Sequence, residues 1–568
     1  MSTEARQGTP QFPQMNGDFM SSTHTAIDSA IQTLQQHKNE WVKISVSQRI
    51  TLLEQLLKKF MAITSRWVAA SLQAKGINPA LEGEEWMAGT WPVVRNVRLL
   101  RQSLVDIETY GRPRIPGPIA TRPNGQVAAR VFPQSAYDSV FFTGVTAEIW
   151  MEPGVQEETL PQTQARIYQG IEHDGRVALV LGAGNVASIG PMDILYKLFV
   201  EDMVVLYKAN PVNAYLSPLI EEAFQPLLKA GYLRVVYGGV GEGAYMCSHP
   251  GIDEIHITGS DKTFDAIVFG SGPEGAERKA NNRPVLNKRI TGELGNVSPV
   301  IIVPGHWSKS DLAYQAEHLA SMLVNNAGFN CNATRIIITH NQWEQREELL
   351  EMVRGVLARV PTRKAYYPGA QQRFQRFLDV HPNAERFGTA GDGELPWTLI
   401  AGVDPQQKDD ICFTTEAFCG LFAETALDAA SPQDYIGQAV HFCNEQLWGS
   451  LNATILIHPQ SLKAPGVEGA FERALSDLRY GTIGINYWAA AAFTIGVTPW
   501  GAFPGHPIND IQSGTGMVHN TFMFEQPQKT ILRAPFRSQP TPPWFALRSK
   551  TATSTFPKLT AFEARPSL

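Results

Sequence analysis

The segment TGELGNVSPVIIV, residues 291–303, and the segment NNAGFNCNATR, residues 325–335, decide how this chain is interpreted. The first places the carboxylate of Glu293 before a small turn and an apolar run that reads as a strand. The second places Cys331 in a loop rich in Asn and Gly, directly after a predicted helix. A thiolate is a strong nucleophile and a carboxylate can activate water, so these two side chains together can form and then hydrolyse a thioester.

Both segments resemble the aldehyde dehydrogenase superfamily, whose members carry an E-L-G-G-K-S-P strand and then an N-x-G-Q-x-C loop. Here the corresponding residues read ELGNVSP and NAGFNC, and Cys331 follows Glu293 by 38 residues, close to the spacing in that family. The resemblance covers roughly residues 26–526 and identifies the chain as a divergent, long member. It implies an α/β fold with a Rossmann-like dinucleotide-binding domain, an α/β catalytic domain and a small oligomerisation element.

Domain boundaries follow from this resemblance and from the length, because 568 residues are too many for one hydrophobic core. Residues 1–22 are polar and are predicted to be disordered or loosely docked. Residues 23–296 are predicted to form the dinucleotide-binding domain, with a hairpin at about 135–165 that the resemblance assigns to oligomerisation. Residues 297–505 are predicted to form the catalytic domain, and residues 506–568 a C-terminal return and oligomerisation or tail segment.

Composition and charge exclude several classes of function. A formal net charge of −6 gives no global basic surface for nucleic acid. Five cysteines, a sparse and odd number, argue against a disulfide framework, and no Cys/His cluster has zinc-like spacing, so no metal site is predicted. The N-terminus lacks the pattern of a secretory signal and no run of about 18 apolar residues occurs, which predicts a cytoplasmic location.

A third candidate catalytic residue, Asn185, lies in a Gly-rich turn. The run RVALVL, residues 176–181, is apolar like a parallel strand and continues into GAGNVASIGPMDILYKLF, which reads as a turn and a helix. The family's equivalent turn holds an Asn whose amide faces the substrate carbonyl, and the resemblance assigns this role to Asn185. The alternative is a structural turn residue, because Asn tolerates the left-handed backbone conformation.

The cofactor prediction begins at Lys208. The strand MVVLYK, residues 203–208, leads into KANP, which matches the family's K-P-x-E, where the Lys contacts the adenosine ribose. Pro211 stands where an acid would bind a free 2′-hydroxyl and repel a 2′-phosphate, so the predicted cofactor is NAD or NADP, and NADP is permitted. A solvated surface lysine is the alternative for Lys208.

Two further stretches complete the predicted cofactor site. Residues 233–260 resemble the family's strand, Gly-rich turn, helix and strand ending in F-T-G-S, after which a turn and a helix lie beside the cofactor pyrophosphate. Residues 261–282 are longer and Gly-rich and depart from the family. TTEAFCGL, residues 414–421, resembles E-E-x-F-G-P, where a Glu holds the nicotinamide ribose and a Phe flanks the nicotinamide; a surface Glu is the alternative. The residues assigned by this resemblance are Gly239, Gly243, Thr258, Gly259, Ser260, Glu416 and Phe418.

The resemblance implies a reaction of four steps. Cys331 attacks the aldehyde carbon, the Asn185 amide and the Cys331 backbone N–H hold the oxyanion, hydride passes to the nicotinamide, and Glu293 deprotonates the water that releases the acid. One alternative is a CoA-acylating enzyme of the same superfamily, against which Glu293 argues because acylating members generally lack it. The other is a non-catalytic cofactor-binding scaffold, against which the joint presence of Asn185, Glu293 and Cys331 argues.

The predicted partners are a small aldehyde and further copies of the chain, as a homodimer or homotetramer. The basic, Pro- and aromatic-rich tail at residues 527–568 is predicted to be an arm packed on the fold or on a partner subunit, since no long amphipathic helix period appears. The alternative for this tail is a membrane-surface contact that brings the enzyme to lipid aldehydes.

Overall fold

The computed structural model describes residues 20–170 and 172–565, in which helices surround two large β-sheets. The prediction for residues 1–22 falls mainly outside these ranges, but Ser22 lies within them and exchanges hydrogen bonds with Tyr237 at 2.9 and 3.0 Å. The helices are α1 His24–Trp41, α2 Val46–Lys75, α3 Glu82–Glu85, α4 Trp91–Tyr110, α5 Ala136–Phe141, α6 Leu160–Thr163, α7 Ile189–Phe199, α8 Ser217–Ala223, α9 Gln225–Lys229, α10 Val240–Ser248, α11 Asp261–Phe269, α12 Gly272–Ala280, α13 Lys309–Val324, α14 Arg346–Leu357, α15 Ala370–Val380, α16 Ile411–Thr414, α17 Pro432–Glu445, α18 Pro459–Leu462, α19 Val467–Asp477, α20 Ala490–Ile495 and α21 Ser549–Glu563.

The strands belong mainly to a sheet of six strands, called the smaller sheet below, and a sheet of eleven, the larger sheet. The strands are β1 Ile119–Thr121, β2 Val127–Phe132, β3 Thr146–Met151, β4 Arg176–Leu181, β5 Met203–Lys208, β6 Leu233–Val236, β7 Glu254–Thr258, β8 Arg289–Glu293, β9 Pro299–Ile302, β10 Ile336–His340, β11 Arg363–Lys364, β12 Glu385–Phe387, β13 Glu394–Leu395, β14 Trp397–Ile400, β15 Leu421–Leu427, β16 Asn452–Leu456, β17 Thr482–Ile485, β18 Pro499–Trp500, β19 Gly514–Thr515, β20 Val518–His519 and β21 Pro527–Arg533.

The smaller sheet has the order β19-β8-β7-β4-β5-β6, and strands β4 to β8 run parallel. Its central strands β4 and β5 are almost continuously buried, which explains their unbroken apolar sequences. Strand order reverses beside β4, because β5 and β6 follow on one side while β7 and β8 lie on the other. A ligand crevice is expected outside the carboxyl ends of the strands at such a position. The Rossmann-like prediction is confirmed in this sheet.

The larger sheet has the order β1-β2-β3-β21-β17-β16-β9-β10-β15-β14-β12. The chain passes from the smaller sheet to the larger one between β8 and β9, near the predicted boundary at residue 296. Segment 506–568 contributes to both sheets, through β19 in the smaller and β21 in the larger. The α/β fold class is therefore confirmed, whereas the division into domains stays a prediction.

The hairpin predicted at 135–165 lies earlier in the chain, because its strands are β2 and β3. Residues 136–141 between them are helical, since the Ser135 side chain caps the N-terminus of α5 by accepting a hydrogen bond from the Asp138 N–H. Both edges of β3 are paired within the chain, to β2 and to β21, and β21 in turn pairs with β17. The hairpin thus extends the chain's own larger sheet, while its role in oligomerisation stays a prediction.

Helices form in two segments whose sequences led to different expectations. The helical prediction for residues 26–76 is confirmed by α1 and α2, and a capping box at Ser45 starts α2. Residues 261–282 are Gly-rich and depart from the family's pattern, and they form the two short helices α11 and α12. Helices were not predicted there because Gly is a poor helix former. Ser260 caps the N-terminus of α11, whereas α12 contains Gly272 at its first position and Gly275 inside it.

The tail also forms a helix, α21, which the sequence did not predict because Pro557 lies inside it. Its apolar residues Ala552, Phe556 and Leu559 are buried against α3 and α4, so the tail packs on the chain's own fold. Burying a side chain of the size of Phe556 stabilises the fold by roughly 2 kcal/mol. In residues 20–170 and 172–565, no helix is long and apolar enough to cross a membrane.

Candidate active site

A cavity of about 440 Å³ lies at the carboxyl ends of the strands of the smaller sheet and reaches the cysteine loop. Residues that end four strands line it, namely Leu181, Lys208, Thr258 and Glu293. The residues predicted from sequence all line this cavity: Cys331, Glu293, Asn185, Lys208, Pro211, Gly239, Gly243, Thr258, Gly259, Ser260, Glu416 and Phe418. Motifs far apart in the sequence therefore meet in one site, and the role of each residue stays a prediction.

The cysteine loop is shaped by unusual backbone geometry after α13. Asn326 and Ala327 take left-handed conformations, with φ of 51° and 54°, which reverse the chain. Asn adopts this conformation readily, whereas for Ala it is strained. The buried Arg335 guanidinium holds the loop, since it donates hydrogen bonds to the carbonyl oxygens of Cys419 at 2.7 Å and Gly328 at 2.5 Å.

Cys331 and Glu293 are in direct contact. The Cys331 thiol donates a hydrogen bond to Glu293 Oε1, with 3.3 Å between Sγ and the oxygen. Burial raises the pKa of Glu293 to about 7, and the nearby Asp193 carboxylate adds to the rise. Burial, together with the carboxylates of Glu293 and Glu416, also raises the pKa of the Cys331 thiol well above its usual value. The pair is therefore a neutral thiol beside a carboxyl group that can exchange protons near neutral pH.

Asn185 lies in the turn between β4 and α7, and its side chain is held in a fixed orientation. Its Nδ2 donates a hydrogen bond to the Phe329 carbonyl in the cysteine loop at 2.9 Å. Its backbone carbonyl accepts hydrogen bonds from Asn326 Nδ2 and the Tyr366 hydroxyl, each at 3.0 Å. An amide nitrogen carries two hydrogens, so Asn185 can still donate one hydrogen bond to an oxyanion formed at Cys331.

A buried ion pair supports the loop from behind. Lys75 Nζ lies 2.7 Å from Glu85 Oε1 and 3.4 Å from Asn326 Oδ1, which also accepts a hydrogen bond from the Tyr366 hydroxyl at 3.0 Å. Lys75 and Glu85 are 3% and 4% exposed. The end of helix α2 is thereby connected to the cysteine loop. Sequence reasoning missed this connection because 251 residues separate Lys75 from Asn326.

The other end of the cavity has the chemistry of a dinucleotide site. Lys208 is 8% exposed, and burial lowers its pKa to about 8. Its Nζ donates a long hydrogen bond of 3.5 Å to the Ala209 carbonyl. A buried ammonium with donors to spare fits the hydroxyl groups of a ribose. Gly243 lies beside it, since a Cβ atom added there would lie 3.8 Å from the Lys208 side chain, and Gly239 lines the same cavity. The residues present therefore fit a nicotinamide dinucleotide.

Glu416 and Phe418 close the cavity on the side of the larger sheet. Glu416 is 1% exposed, so the alternative of a surface glutamate is wrong. Phe418 takes a left-handed conformation with φ of 42°, which is uncommon for a bulky residue and marks a constrained position. Its ring lies 4.9 Å from the ring of Tyr367, which also lines the cavity. Tyr367 was missed because no motif surrounds it in the sequence.

A second cysteine, Cys247 on α10, also lines the cavity. Burial raises the pKa of its thiol to about 12, so it is protonated at neutral pH and a weak nucleophile compared with a thiolate. No signal in the sequence distinguishes Cys247 as a cavity residue, because its neighbours match the cofactor helix and not a reactive loop.

The described residues bring His381, Asp410 and Cys412 together, with their potential ligand atoms within 4.8 Å of one another. Asp410 already accepts hydrogen bonds from His381 Nε2 at 3.1 Å and from the Cys412 backbone N–H at 2.8 Å, as the N-cap of α16. This capping explains the cluster without an ion, and no metal is assigned to it.

Comparison with known proteins shows which family this chain is similar to. A family model described as the aldehyde dehydrogenase family matches residues 199–381. An aldehyde dehydrogenase of a Fusarium species is 31% identical over 175 residues, covering 30% of this chain and 34% of the relative. Human retinal dehydrogenase 2 is 33% identical over 173 residues, covering 30% and 27%. The matched region thus spans about a third or less of these curated relatives.

Solved structures match over most of the chain. An aldehyde dehydrogenase mutant of Pseudomonas syringae, complexed with NAD+ and octanal, has a TM-score of 0.60 at 17% identity and covers 91% of this chain and 90% of its own. A glyceraldehyde-3-phosphate dehydrogenase of Methanocaldococcus jannaschii, complexed with NADP, has a TM-score of 0.60 at 13% identity and covers 92% and 99%. The family match, the curated relatives and this shared fold agree in one respect, since all of them are similar to aldehyde dehydrogenases.

Proposed function

We propose that this protein oxidises an aldehyde to the carboxylic acid with NAD or NADP, through a thioester on Cys331 that is hydrolysed with Glu293 as general base. The single observation that carries the proposal is the 3.3 Å contact between Cys331 Sγ and Glu293 Oε1, in a cavity that continues to Lys208. One cavity holds a nucleophile, a base and a dinucleotide site, which is the arrangement this chemistry needs. A non-catalytic scaffold would not explain why Cys331 and Glu293 lie in contact. When bound, the nicotinamide dinucleotide accepts the hydride that the aldehyde carbon releases.

Formation of the thioester begins with the contact already present. The Cys331 S–H bond breaks, its proton moves to Glu293, and the sulfur attacks the aldehyde carbon. Negative charge then develops on the aldehyde oxygen, where the free N–H of Asn185 and the Cys331 backbone N–H can donate hydrogen bonds. Because the Phe329 carbonyl fixes the Asn185 amide, this donor is in place before the charge develops.

Hydrolysis uses Glu293 a second time. Glu293 takes a proton from water, the new C–O bond forms, the C–S bond breaks and the acid leaves. A base with a pKa of about 7 is partly ionised at neutral pH and still strong enough to accept this proton. Glu293 is buried and contacts Cys331 Sγ, which is the sulfur atom of the thioester. Because a base in this position lies next to the thioester, it favours water over CoA as the acyl acceptor.

The test is the variant Glu293→Gln, which keeps the shape of the side chain but cannot accept a proton. After rapid mixing with aldehyde and cofactor, we expect up to one equivalent of NAD(P)H per active site, formed more slowly than in wild type because the Cys331 proton must then leave to water. A steady rate slower than wild type by about 10²–10⁴-fold is expected to follow, because hydrolysis lacks its base. Intact-mass measurement is expected to show the acyl group on the protein.

Two controls accompany this experiment. Cys331→Ser is expected to bind cofactor but give neither burst nor adduct, because a hydroxyl is a far poorer nucleophile near neutral pH. Cys443→Ala removes a buried thiol of α17, outside the cavity, and is expected to keep the wild-type burst. Normal turnover of Glu293→Gln, or a wild type that is idle until CoA is added, would refute hydrolysis and favour the CoA-acylating alternative.

A further inference from the structure

The short helix α3 contacts both the cysteine loop and the C-terminal helix α21. Its residue Glu84 accepts a hydrogen bond at Oε2 from the Asn326 backbone N–H, at 2.9 Å. The same oxygen accepts a second hydrogen bond from Arg363 Nη1, at 2.7 Å. Glu84 thus joins α3 directly to the backbone of the loop that leads to Cys331.

The part of the loop that Glu84 contacts has a backbone that needs support. Three consecutive residues, Asn326, Ala327 and Gly328, have φ of 51°, 54° and 81°. Glycine adopts this left-handed region freely and asparagine tolerates it, whereas alanine is strained there. Strained backbone persists only where surrounding contacts hold it. Glu84 supplies such a contact, because it binds the N–H of the first of the three residues.

Helix α3 is itself fixed on its other sides. A Cβ atom added at Gly83 would overlap the Thr553 backbone nitrogen and lie 2.7 Å from Ala552 Cβ, so α3 lies directly against α21. The side chains of Glu84 and Arg363 are 17% and 9% exposed, so their ion pair is largely shielded from water. Because a shielded charge is costly without its partner, this pair restricts Glu84 to its position.

Asn326 connects this support with the catalytic groups. Its Nδ2 donates hydrogen bonds to the Asn185 carbonyl and to Asn330 Oδ1, each at 3.0 Å. Asn185 is the predicted oxyanion donor, and Asn330 directly precedes Cys331. A change in the backbone at Asn326 would therefore displace both the nucleophile and the oxyanion donor.

We propose that Glu84 is a positioning residue, which holds the left-handed segment 326–328 so that Cys331 Sγ stays in contact with Glu293. Within the described part of the chain, Glu84 is not among the residues that line the cavity, so it acts through the loop. Its effect on turnover rests on the proposed function. The contact between Cys331 and Glu293 can be measured without any aldehyde, so it provides an independent test.

The other charged groups near the loop have different positions. Lys75, paired with Glu85, reaches the Asn326 side chain at 3.4 Å, whereas Glu84 binds the backbone of that residue. Asp193 and Glu416 carry the remaining carboxylates that raise the pKa values of Glu293 and Cys331, respectively. All four of these side chains are unchanged in the variants described below.

The test is the variant Glu84→Ala, in which alkylation of Cys331 by iodoacetamide is measured from about pH 6 to about pH 10. The peptide that contains Cys331 is followed by mass spectrometry, because the chain has four other cysteines. In wild type, the alkylation rate is expected to rise near pH 7, as Glu293 ionises and becomes able to take the thiol proton.

Loss of the contact between Cys331 and Glu293 is expected to change this profile. In Glu84→Ala the rise should move to the higher pH at which a thiol ionises without a base beside it. At about pH 7.5 we expect alkylation to be about 10- to 100-fold slower than in wild type. With aldehyde present, the initial rate of NAD(P)H formation is expected to fall by a similar factor. The Kd of the cofactor, measured by fluorescence titration, is expected to stay the same.

Two variants distinguish support of the loop from a general loss of stability. Glu84→Gln keeps an oxygen that can accept the Asn326 N–H, so we expect the wild-type alkylation profile, with a lower Tm because the ion pair is lost. Glu84→Ala combined with Ala327→Gly is expected to recover most of the lost rate, because glycine adopts the left-handed conformation without support.

Two further variants serve as a control and as a replacement. Glu82→Ala removes a partly exposed carboxylate from the first position of α3, and it is expected to keep the wild-type profile. Glu84→Ala combined with Arg363→Met removes both charges of the ion pair, so no shielded guanidinium is left without a carboxylate. This double variant carries the same prediction as Glu84→Ala, should the single variant fold poorly.

Two outcomes would overturn the positioning role. A wild-type alkylation profile in Glu84→Ala would show that the loop does not depend on Glu84. A shifted profile that Ala327→Gly does not restore would show that the variant disturbs the fold and not the left-handed segment. A wild type that gives no NAD(P)H with any aldehyde would overturn the proposed function, whereas the alkylation results would still decide the role of Glu84.

Discussion

Glu293 ends strand β8 and Cys331 follows helix α13, so each side chain reaches the cavity from the end of a regular element. Residues of this kind could be predicted from sequence, because short motifs mark the ends of strands and helices. Tyr367 could not, since its place in the cavity depends on contacts between distant segments. The alternating residues of β7, in the pattern E-x-H-x-T, predict that these three side chains share one face of the strand. The pattern does not predict which helix packs on that face.

The pKa of Glu293 leads to a prediction about stability. Its pKa is raised from 4.5 to about 7 in the folded protein, so the folded state binds this proton more tightly than the unfolded state. The stabilisation is fully present below pH 4.5 and is lost as pH rises through 7, a change of roughly 3 kcal/mol. Glu293→Gln removes this dependence, so we expect the variant to melt higher than wild type at pH 8 and equally at pH 5.

Differential scanning calorimetry at the two pH values checks this expectation. Glu348→Gln, which removes an exposed carboxylate of α14, is the control and is expected to change neither melting temperature. If Glu293→Gln melted below wild type at pH 8, the carboxylate would be stabilised in its ionised form, opposite to the expected sign.

Pro211 leads to a prediction about the cofactor. It lines the cavity near Lys208 and supplies no carboxylate, so NADP is expected to be accepted by wild type. Pro211→Glu is expected to lower kcat/KM for NADP by about 10- to 100-fold while that for NAD changes little, because the new charge repels a 2′-phosphate. Steady-state kinetics with both cofactors measures this ratio.

A preference of wild type for NAD above about a hundredfold, or ~2.7 kcal/mol, would contradict the role of Pro211. Glu242 would then be the candidate that excludes the phosphate. It lies close enough to Lys208 to raise the pKa of that ammonium, and its Oε2 accepts a hydrogen bond from the Gly239 N–H at 2.7 Å. Glu242→Gln would be the variant to compare next.

Among the secondary-structure elements, those with strong periodic patterns were predictable and those with mixed signals were not. Helices α1 and α2 repeat apolar residues at helical spacing and begin at recognisable N-caps, Thr23 and Ser45. Helices α12 and α21 contain Gly or Pro, which lower helix propensity, and tertiary packing overrides that preference. The pairing of β21 with β17 is a contact between distant segments that no local pattern reports.

Helix α21 is joined to the fold by a buried group of four charges. Arg95 of α4 pairs with Asp138 at 2.8 Å and with Glu563, and Arg98 pairs with Glu563 at 2.6 Å. All four are less than 9% exposed. Glu563→Gln would leave two buried guanidinium groups with one carboxylate, so we expect a loss of roughly 3–5 kcal/mol in the free energy that holds α21 in place.

Limited proteolysis and thermal melting measure this loss. The expected result is earlier cleavage within residues 549–565 and a lower melting temperature. Lys558→Gln, on the exposed face of the same helix, is the control and is expected to change stability by no more than about 0.5 kcal/mol. Equal cleavage of Glu563→Gln and wild type would mean that apolar packing alone holds the helix.

At the scale of the whole molecule, the larger sheet joins segments from both ends of the chain. Strands β1 to β3 come from residues 119–151 and β21 from residues 527–533, and they extend a sheet whose other strands lie at 299–485. The α/β class was predictable from the resemblance to aldehyde dehydrogenases, which implies a dinucleotide-binding and a catalytic domain. The pairing of β21 with β17 and β3, which joins the two parts of the larger sheet, was not predictable, because tertiary contacts decide which strands pair.

This pairing can be tested by cross-linking across β21. Thr482 of β17 lies directly opposite Thr530 of β21 in the same chain, so Thr482→Cys with Thr530→Cys is expected to form a disulfide within one chain on oxidation. On a non-reducing gel the product should run at the mass of a single chain, even at high protein concentration. Ala147→Cys with Leu532→Cys is the matched control, because it joins β3 to β21, which pair with each other. If β21 instead crossed to the larger sheet of a second copy, the first pair would give a covalent dimer while the control would stay a single chain. That result would restore the predicted pairing of the hairpin with a neighbouring subunit.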